Sequence, residues 1–191
     1  MVSNALRAAA LFAREWAGGP AAIGAICPSS RRLAAQIARQ VPPGDGVVVE
    51  LGGGTGAVTQ ALLENGVTPQ RLIVVERSAA FVAHLRRRFP AVAVVRGDAA
   101  GLSALLPRDL RVDAIVSCLP LRSLPRHVTA AIVAQWRHVL DERGVVIQFT
   151  YDVRPRGAVS LLDPDFAICS SKIVWTNVPP ARVVTTRPTS P

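Results

Sequence analysis

Val47-Val48-Val49-Glu50-Leu51-Gly52-Gly53-Gly54-Thr55-Gly56 decides how this chain is read. A β-prone run, apolar except at Glu50, stops in glycines, and Thr55 to Asn65-Gly66 then carries a helical pattern. A glycine turn between strand and helix brings the backbone close to a ligand where helix N–H groups lack partners. The same alternation continues downstream. Leu72–Glu76, Ala91–Val95, Ala114–Ser117 and Val145–Tyr151 read as strands. Ala79–Phe89, closed by Pro90, and Pro125–Leu140 read as helices. Phe166–Trp175 and Ala181–Thr186 form a final strand pair. Upstream, a helix follows Pro28 with Ser29 or Ser30 as N-cap and Leu33, Ile37 and Val41 on one stripe, ended by Pro42-Pro43-Gly44-Asp45-Gly46. Buried strands alternating with helices predict an α/β fold, a doubly wound, Rossmann-like sheet of about seven mostly parallel strands. Two helices precede it.

The composition sets bounds. With 191 residues, 50% hydrophobic and 18% charged, the chain suits one domain and excludes global disorder. The apolar stretch Trp16–Pro28 holds glycines and prolines and is too short for a bilayer core of ~30 Å. Arg7, Arg14 and Glu15 interrupt what a signal peptide would keep apolar. Cys27, Cys118 and Cys169 are widely separated and lack paired-ligand spacing, so they read as reduced thiols, with no metal site expected. The net charge of +9 comes almost wholly from arginine, Lys172 being the single lysine. Such a balance favours a polyanionic partner, nucleic acid or an anionic membrane.

The glycine turn alone admits two cofactors. Gly52, Gly54 and Ala57 satisfy G-x-G-x-x-A, and Glu76 ends the second strand where a ribose-binding acid belongs, which suits a dinucleotide. Glu50 argues otherwise, because a carboxylate before the glycines repels a pyrophosphate and suits the cationic methionine end of S-adenosylmethionine. Asp98 in Arg96-Gly97-Asp98-Ala99 stands where an acid accepts from an adenine amino group, or caps the helical stretch after it. No second domain for a hydride acceptor is expected.

On these residues, positions 28–186 resemble class I S-adenosylmethionine-dependent methyltransferases. The resemblance implies that Glu50, Gly52, Gly54 and Gly56 line the methionine and ribose side. It places Glu76 on the ribose hydroxyls and Asp98 and Ala99 on the adenine. Ser29, Ser30, Arg77 and Ser117 flank these pieces and complete the expected cofactor set, whose product is S-adenosylhomocysteine.

The segment after the fourth strand, Ser117-Cys118-Leu119-Pro120-Leu121, faces the crevice where acceptors bind. It is similar to the N-L-P-Y signature of ribosomal RNA adenine dimethyltransferases, but Cys118 replaces the amide and Leu121 the aromatic that would stack on a base. The ordered set Gly24–Arg31, the glycine turn, Ser117–Leu121, Gln148–Tyr151 and Trp175–Ala181 resembles instead bacterial phospholipid N-methyltransferases and their ornithine-lipid relatives. That resemblance implies successive methyl transfers to the amine of phosphatidylethanolamine, through its methylated intermediates toward phosphatidylcholine. No nucleic acid and no obligate protein partner is expected.

Catalysis then falls to the carbonyls of Leu119, Pro120 and Leu121, which hold amine protons, and to Tyr151. Tyr151 either offers an aromatic face to the ammonium, orients the amine through its hydroxyl, or is a half-buried strand residue. Arg122, Arg154 and Arg156 meet the lipid phosphate or are solvated surface charges. His127 reads as an exposed helix residue rather than a base. Residues 1–27 form a separate amphipathic region and 28–191 the methyltransferase domain. The helix over 2–17 either packs on the domain or inserts Leu6, Leu11, Phe12 and Trp16 at a lipid interface, with Arg7 and Arg14 on anionic headgroups. The expected location is the cytoplasm, peripheral on the inner face of the bacterial membrane.

Overall fold

The computed structural model describes residues 30–154 and 165–189. The expectations for the 2–17 helix, with Leu6, Arg7, Leu11, Phe12, Arg14 and Trp16, and for Ser29 and Arg156, lie outside the described residues. Of the two candidate caps, Ser30 serves: its hydroxyl accepts from the Leu33 N–H at 3.2 Å and starts α1 (Arg31–Ala38). This helix buries Leu33, Ala34, Ile37 and Ala38. It stops earlier than the apolar stripe suggested, because Val41 precedes Pro42 and is biased out of helical backbone. Val41 still packs on the core from the following turn.

The chain then alternates as expected through β1 (Val47–Leu51), α2 (Ala57–Glu64), β2 (Leu72–Glu76), α3 (Ala79–Arg88) and β3 (Ala93–Arg96). It continues with α4 (Leu102–Leu105), β4 (Val112–Ser117), α5 (Arg126–Val139), β5 (Leu140–Thr150), β6 (Phe166–Val174) and β7 (Ala181–Pro188). The third strand starts at Ala93 rather than Ala91, and the fourth at Val112 rather than Ala114. β5 starts at Leu140, directly after α5, because Leu140 already pairs with Val112.

The seven strands follow the order β3-β2-β1-β4-β5-β7-β6. β1 to β5 are mutually parallel, and β7 runs antiparallel to both β5 and β6. Successive strand residues feed opposite faces. Val48, Val74, Val116 and Ile147 join Leu33 and Ile37 of α1, Leu62 of α2 and Leu85 of α3. Val49, Leu51 and Ile115 join Leu102 of α4 and Ile132 and Trp136 of α5. Helices therefore cover both faces of the sheet, as its apolar strands require.

Candidate cofactor and acceptor site

Strand order reverses between β1 and β4, the switch point where open α/β sheets bind ligands beyond the carboxyl ends of their strands. The glycine turn sits there. Gly52 and Gly54 have φ of 79° and 52°, backbone that disfavours any side chain. A Cβ on Gly52 would stand 3.0 Å from Leu119 Cδ2, whereas one on Gly54 would meet open space. The N–H groups of these glycines are already committed. Gly52 donates to the Val75 carbonyl at 2.8 Å, Gly56 to the Gly53 carbonyl at 2.8 Å, and Gly54 to Glu76 Oε2 at 3.0 Å. A turn with three of its four glycine donors spent and two carboxylates beside it is a poor cradle for pyrophosphate and a good one for a cation.

Glu50 is the decisive residue. Its side chain is fully buried at the end of β1, with Oε2 accepting from Thr59 Oγ1 of α2 at 2.7 Å. Oε1 is buried with no hydrogen-bond partner among the described residues. Burial pushes this carboxyl up to about 8, against an ordinary value of 4.5, and the neighbouring Glu76 charge adds to the rise. An orphaned acidic oxygen at the mouth of the switch point is complementary to an ammonium group. Thr59 is a residue that the sequence reading missed; a buried hydroxyl early in the helix after the glycines is its only signal.

Glu76, at the end of β2, binds backbone with both oxygens: Oε2 takes the Gly54 N–H and Oε1 the Ser78 N–H at 2.8 Å. Each oxygen keeps a second lone pair for a hydroxyl. Arg77 is exposed beside it. Asp98 does cap the stretch after it, Oδ1 accepting from the Ala100 N–H at 2.9 Å, and Ala99 is buried under that turn. Ser30 caps α1 and keeps its O–H to donate.

On the acceptor side, Ser117 ends β4 opposite Gln148 of β5. Ser117 Oγ and Gln148 Oε1 are both buried without a partner among the described residues. Gln148 Nε2 donates to the Leu119 and Phe149 carbonyls, each at 3.0 Å. The carbonyls of the Leu119–Leu121 turn need correction as amine acceptors. Leu119 O already takes the Leu121 N–H and Gln148, and Leu121 O takes Thr129 Oγ1 at 3.0 Å and the Leu124 N–H. Pro120 O accepts only the Ser123 N–H among described partners and keeps a lone pair. The Cys118 thiol packs beside Glu50 and Glu76, and burial with those two charges raises it well above its ordinary value, so it stays neutral. Tyr151 lies just past β5, half-buried, and meets the Phe149 ring edge to face at 5.7 Å. His127 is exposed at the start of α5.

Arg122 and Arg154, distant in sequence, converge on Asp152. Arg122 reaches Asp152 Oδ2 at 2.9 Å, and Arg154 grips both oxygens at 2.7 and 2.8 Å. The Arg154 guanidinium, with Arg122 behind it, holds the Asp152 carboxyl well below the usual range. Arg182 of β7 ties this segment down by donating to the Val153 and Arg154 carbonyls at 2.6 and 3.2 Å. Neither arginine is a lone solvated charge. Two guanidiniums share one carboxylate and a third, Arg182, is bonded to the same segment's backbone, which leaves the cluster net positive.

An acid-lined glycine turn at the switch point of this sheet defines a class I S-adenosylmethionine-dependent methyltransferase. The methyltransferase domain model matches residues 48–144. The ornithine lipid N-methyltransferase of Singulisphaera acidiphila is 35% identical over 135 residues, 68% of this chain and 70% of that protein. By these matches the chain belongs to the methyltransferase domain family and is related to lipid N-methyltransferases. Among solved structures, NodS, an N-methyltransferase from Bradyrhizobium japonicum, superposes with a TM-score of 0.70 at 13% identity, covering 85% of this chain and 89% of that one. The glycopeptide N-methyltransferase MtfA with S-adenosylmethionine gives 0.68 at 15%, covering 83% and 94%. TrmN from Thermus thermophilus gives 0.67 at 20%, covering 89% of this chain, which spans only 52% of that longer one. At these identities the structures speak for the fold.

Proposed function

We propose that this methyltransferase acts on the primary amine of a zwitterionic membrane lipid. The first reading is phosphatidylethanolamine, methylated stepwise toward phosphatidylcholine by an enzyme bound peripherally at the inner face of a bacterial cytoplasmic membrane. The observation that carries the lipid reading is the arginine cluster at the end of β5, a cationic receptor beside the acceptor turn. Ornithine lipid is the second reading, favoured by the relative from Singulisphaera acidiphila. Both lipids join an amine to an anionic group, phosphate in one and carboxylate in the other, and guanidinium groups bind either. A flipped base suits the site less well, because Leu121 is buried and offers no stacking face.

S-adenosylmethionine supplies an electrophilic methyl group that an uncharged amine accepts. Glu50 and Glu76 would hold its ammonium and ribose hydroxyls, with Gly54 leaving room beside them. On the acceptor side, Gln148 locks the Leu119 carbonyl and so sets the turn that faces Gly52. Pro120 O would accept a hydrogen bond from the amine, and Tyr151, past the end of β5, would face the growing ammonium. The chain's contribution is orientation and exclusion of water more than base strength.

Radiolabelled methyl transfer into vesicles of phosphatidylethanolamine or ornithine lipid, with ribosomal RNA in parallel, tests the proposal. Label in either lipid supports it and ranks the two readings. Label in RNA alone overturns it.

A further inference from the structure

The Trp175–Pro180 turn between β6 and β7 is not used by the cofactor or acceptor site. Thr150, Arg182 and Ile173 lie in one row across β5, β7 and β6, at the end of the sheet where β5 delivers Tyr151. Two residues beyond Ile173, the turn projects from that same end. Trp175 is 67% exposed and Val178 83%. The turn is nonetheless held: Asn177, 3% exposed, donates Nδ2 to the Pro179 carbonyl at 2.7 Å and its N–H to the Val174 carbonyl at 3.2 Å. Two large apolar side chains are thus presented to water on a braced support, which costs little ordering entropy when a partner covers them.

We propose that this turn is a membrane-docking tip, in which Trp175 and Val178 enter the interface of an anionic bilayer. Charge complementarity identifies the occupant. Arg182 is in register with Ile173 and joins the Arg122–Asp152–Arg154 cluster, so an apolar tip stands beside net positive charge. An indole flanked by arginines suits the headgroup level of a bilayer. A protein partner fits less well, since a Trp side chain offers about 150–250 Å² against ~800 Å² per partner in a standard interface. Docking by this tip turns the carboxyl ends of β1, β4 and β5 toward the lipid. The inference rests on the lipid-amine reading, but its test is separate.

In a Trp16→Phe chain, Trp136 is buried at 2% exposure, so Trp175 reports on added vesicles. Vesicles of phosphatidylethanolamine and phosphatidylglycerol should shift its emission to the blue, and acyl-brominated lipids should quench it. Trp175→Ala should weaken vesicle binding on the order of 10-fold, with S-adenosylmethionine affinity unchanged. Emission that stays unshifted while the chain co-sediments with vesicles overturns the proposal, as does failure of the wild type to co-sediment. A Trp175-dependent dimer with no vesicle response overturns it in favour of a second copy. Failure of the lipid-amine reading shows up elsewhere, as absent transfer to a detergent-dispersed, short-chain amine lipid by wild-type protein that binds cofactor.

Discussion

Thr59 Oγ1 and Glu50 Oε2 are joined by a 2.7 Å hydrogen bond across the interface of α2 and β1, and the other carboxylate oxygen is buried with no partner among the described residues. The protein keeps a buried acid whose charged form costs the fold, at the point where the proposed site would receive the cofactor's ammonium. The carboxyl lies near 8 in the folded state against an ordinary 4.5. Between those values the unfolded chain releases a proton that the folded chain retains. The stability Glu50 contributes is therefore complete below about 4.5 and is lost as pH rises toward about 8, at up to ~1.4 kcal/mol per pH unit.

Glu50→Gln should therefore stabilise the cofactor-free protein, by on the order of 4 kcal/mol at pH 8, and hardly at all near pH 4.5. Thermal melts across that range check this. The same variant should bind S-adenosylmethionine at least about 10-fold more weakly, through loss of a charge-assisted contact. A variant that gains neither stability nor loses affinity removes Glu50 from the role assigned to it.

Cofactor binding should expel the Glu50 proton below pH 8, because an ammonium beside the carboxyl favours its ionised form. Calorimetry at pH 6.5 in buffers of different ionisation enthalpy should show ~1 proton released per site. Affinity should rise with pH and level off near 8. The Glu50→Gln chain should release none.

Glu76 accepts from backbone and, in the proposed site, would also take the ribose hydroxyls, so its variants should separate the two. Glu76→Ala should weaken S-adenosylmethionine binding by ~1.5–3 kcal/mol, losing the ribose contact and also the acceptors for the Gly54 and Ser78 N–H groups. Glu76→Gln keeps one amide oxygen to accept from backbone and should retain part of the affinity. Titration calorimetry on both folded variants, with equal losses, would place the whole effect in the ligand contact.

Gln148→Leu leaves the Leu119 carbonyl without one of its two donors and the Phe149 carbonyl without its side-chain donor. Stability should fall by ~1–3 kcal/mol, and kcat should drop more than S-adenosylmethionine affinity, since the acceptor turn loosens while the glycine turn is untouched. Single-turnover transfer compared with cofactor binding distinguishes the two.

The alternation of strands and helices was legible because buried parallel strands are nearly unbroken apolar runs, as in Leu72–Glu76. That Glu50, Glu76 and Gly52 gather at one turn was legible for a related reason: an acid or a glycine near a strand end breaks the apolar pattern. Pairing was not legible. That Arg122 and Arg154 share Asp152, or that the Leu119 and Leu121 carbonyls are already taken, depends on contacts between residues far apart in the chain. Element ends drifted where long-range pairing decided them, as at Leu140, which joins β5 because Val112 waits beside it.

β7 is the last described strand in chain order, yet it lies inside the sheet, between β5 and β6. Assembly order therefore differs from chain order. During synthesis β5 keeps an open edge until residues 181–188 have emerged, and β6 has no neighbour until the same moment. The late insertion couples everything at that margin: it completes two ladders at once and delivers Arg182 to the carbonyls of Val153 and Arg154. A nascent chain stalled before Ala181 would already hold the glycine turn and both acids, but not the support of its cationic rim.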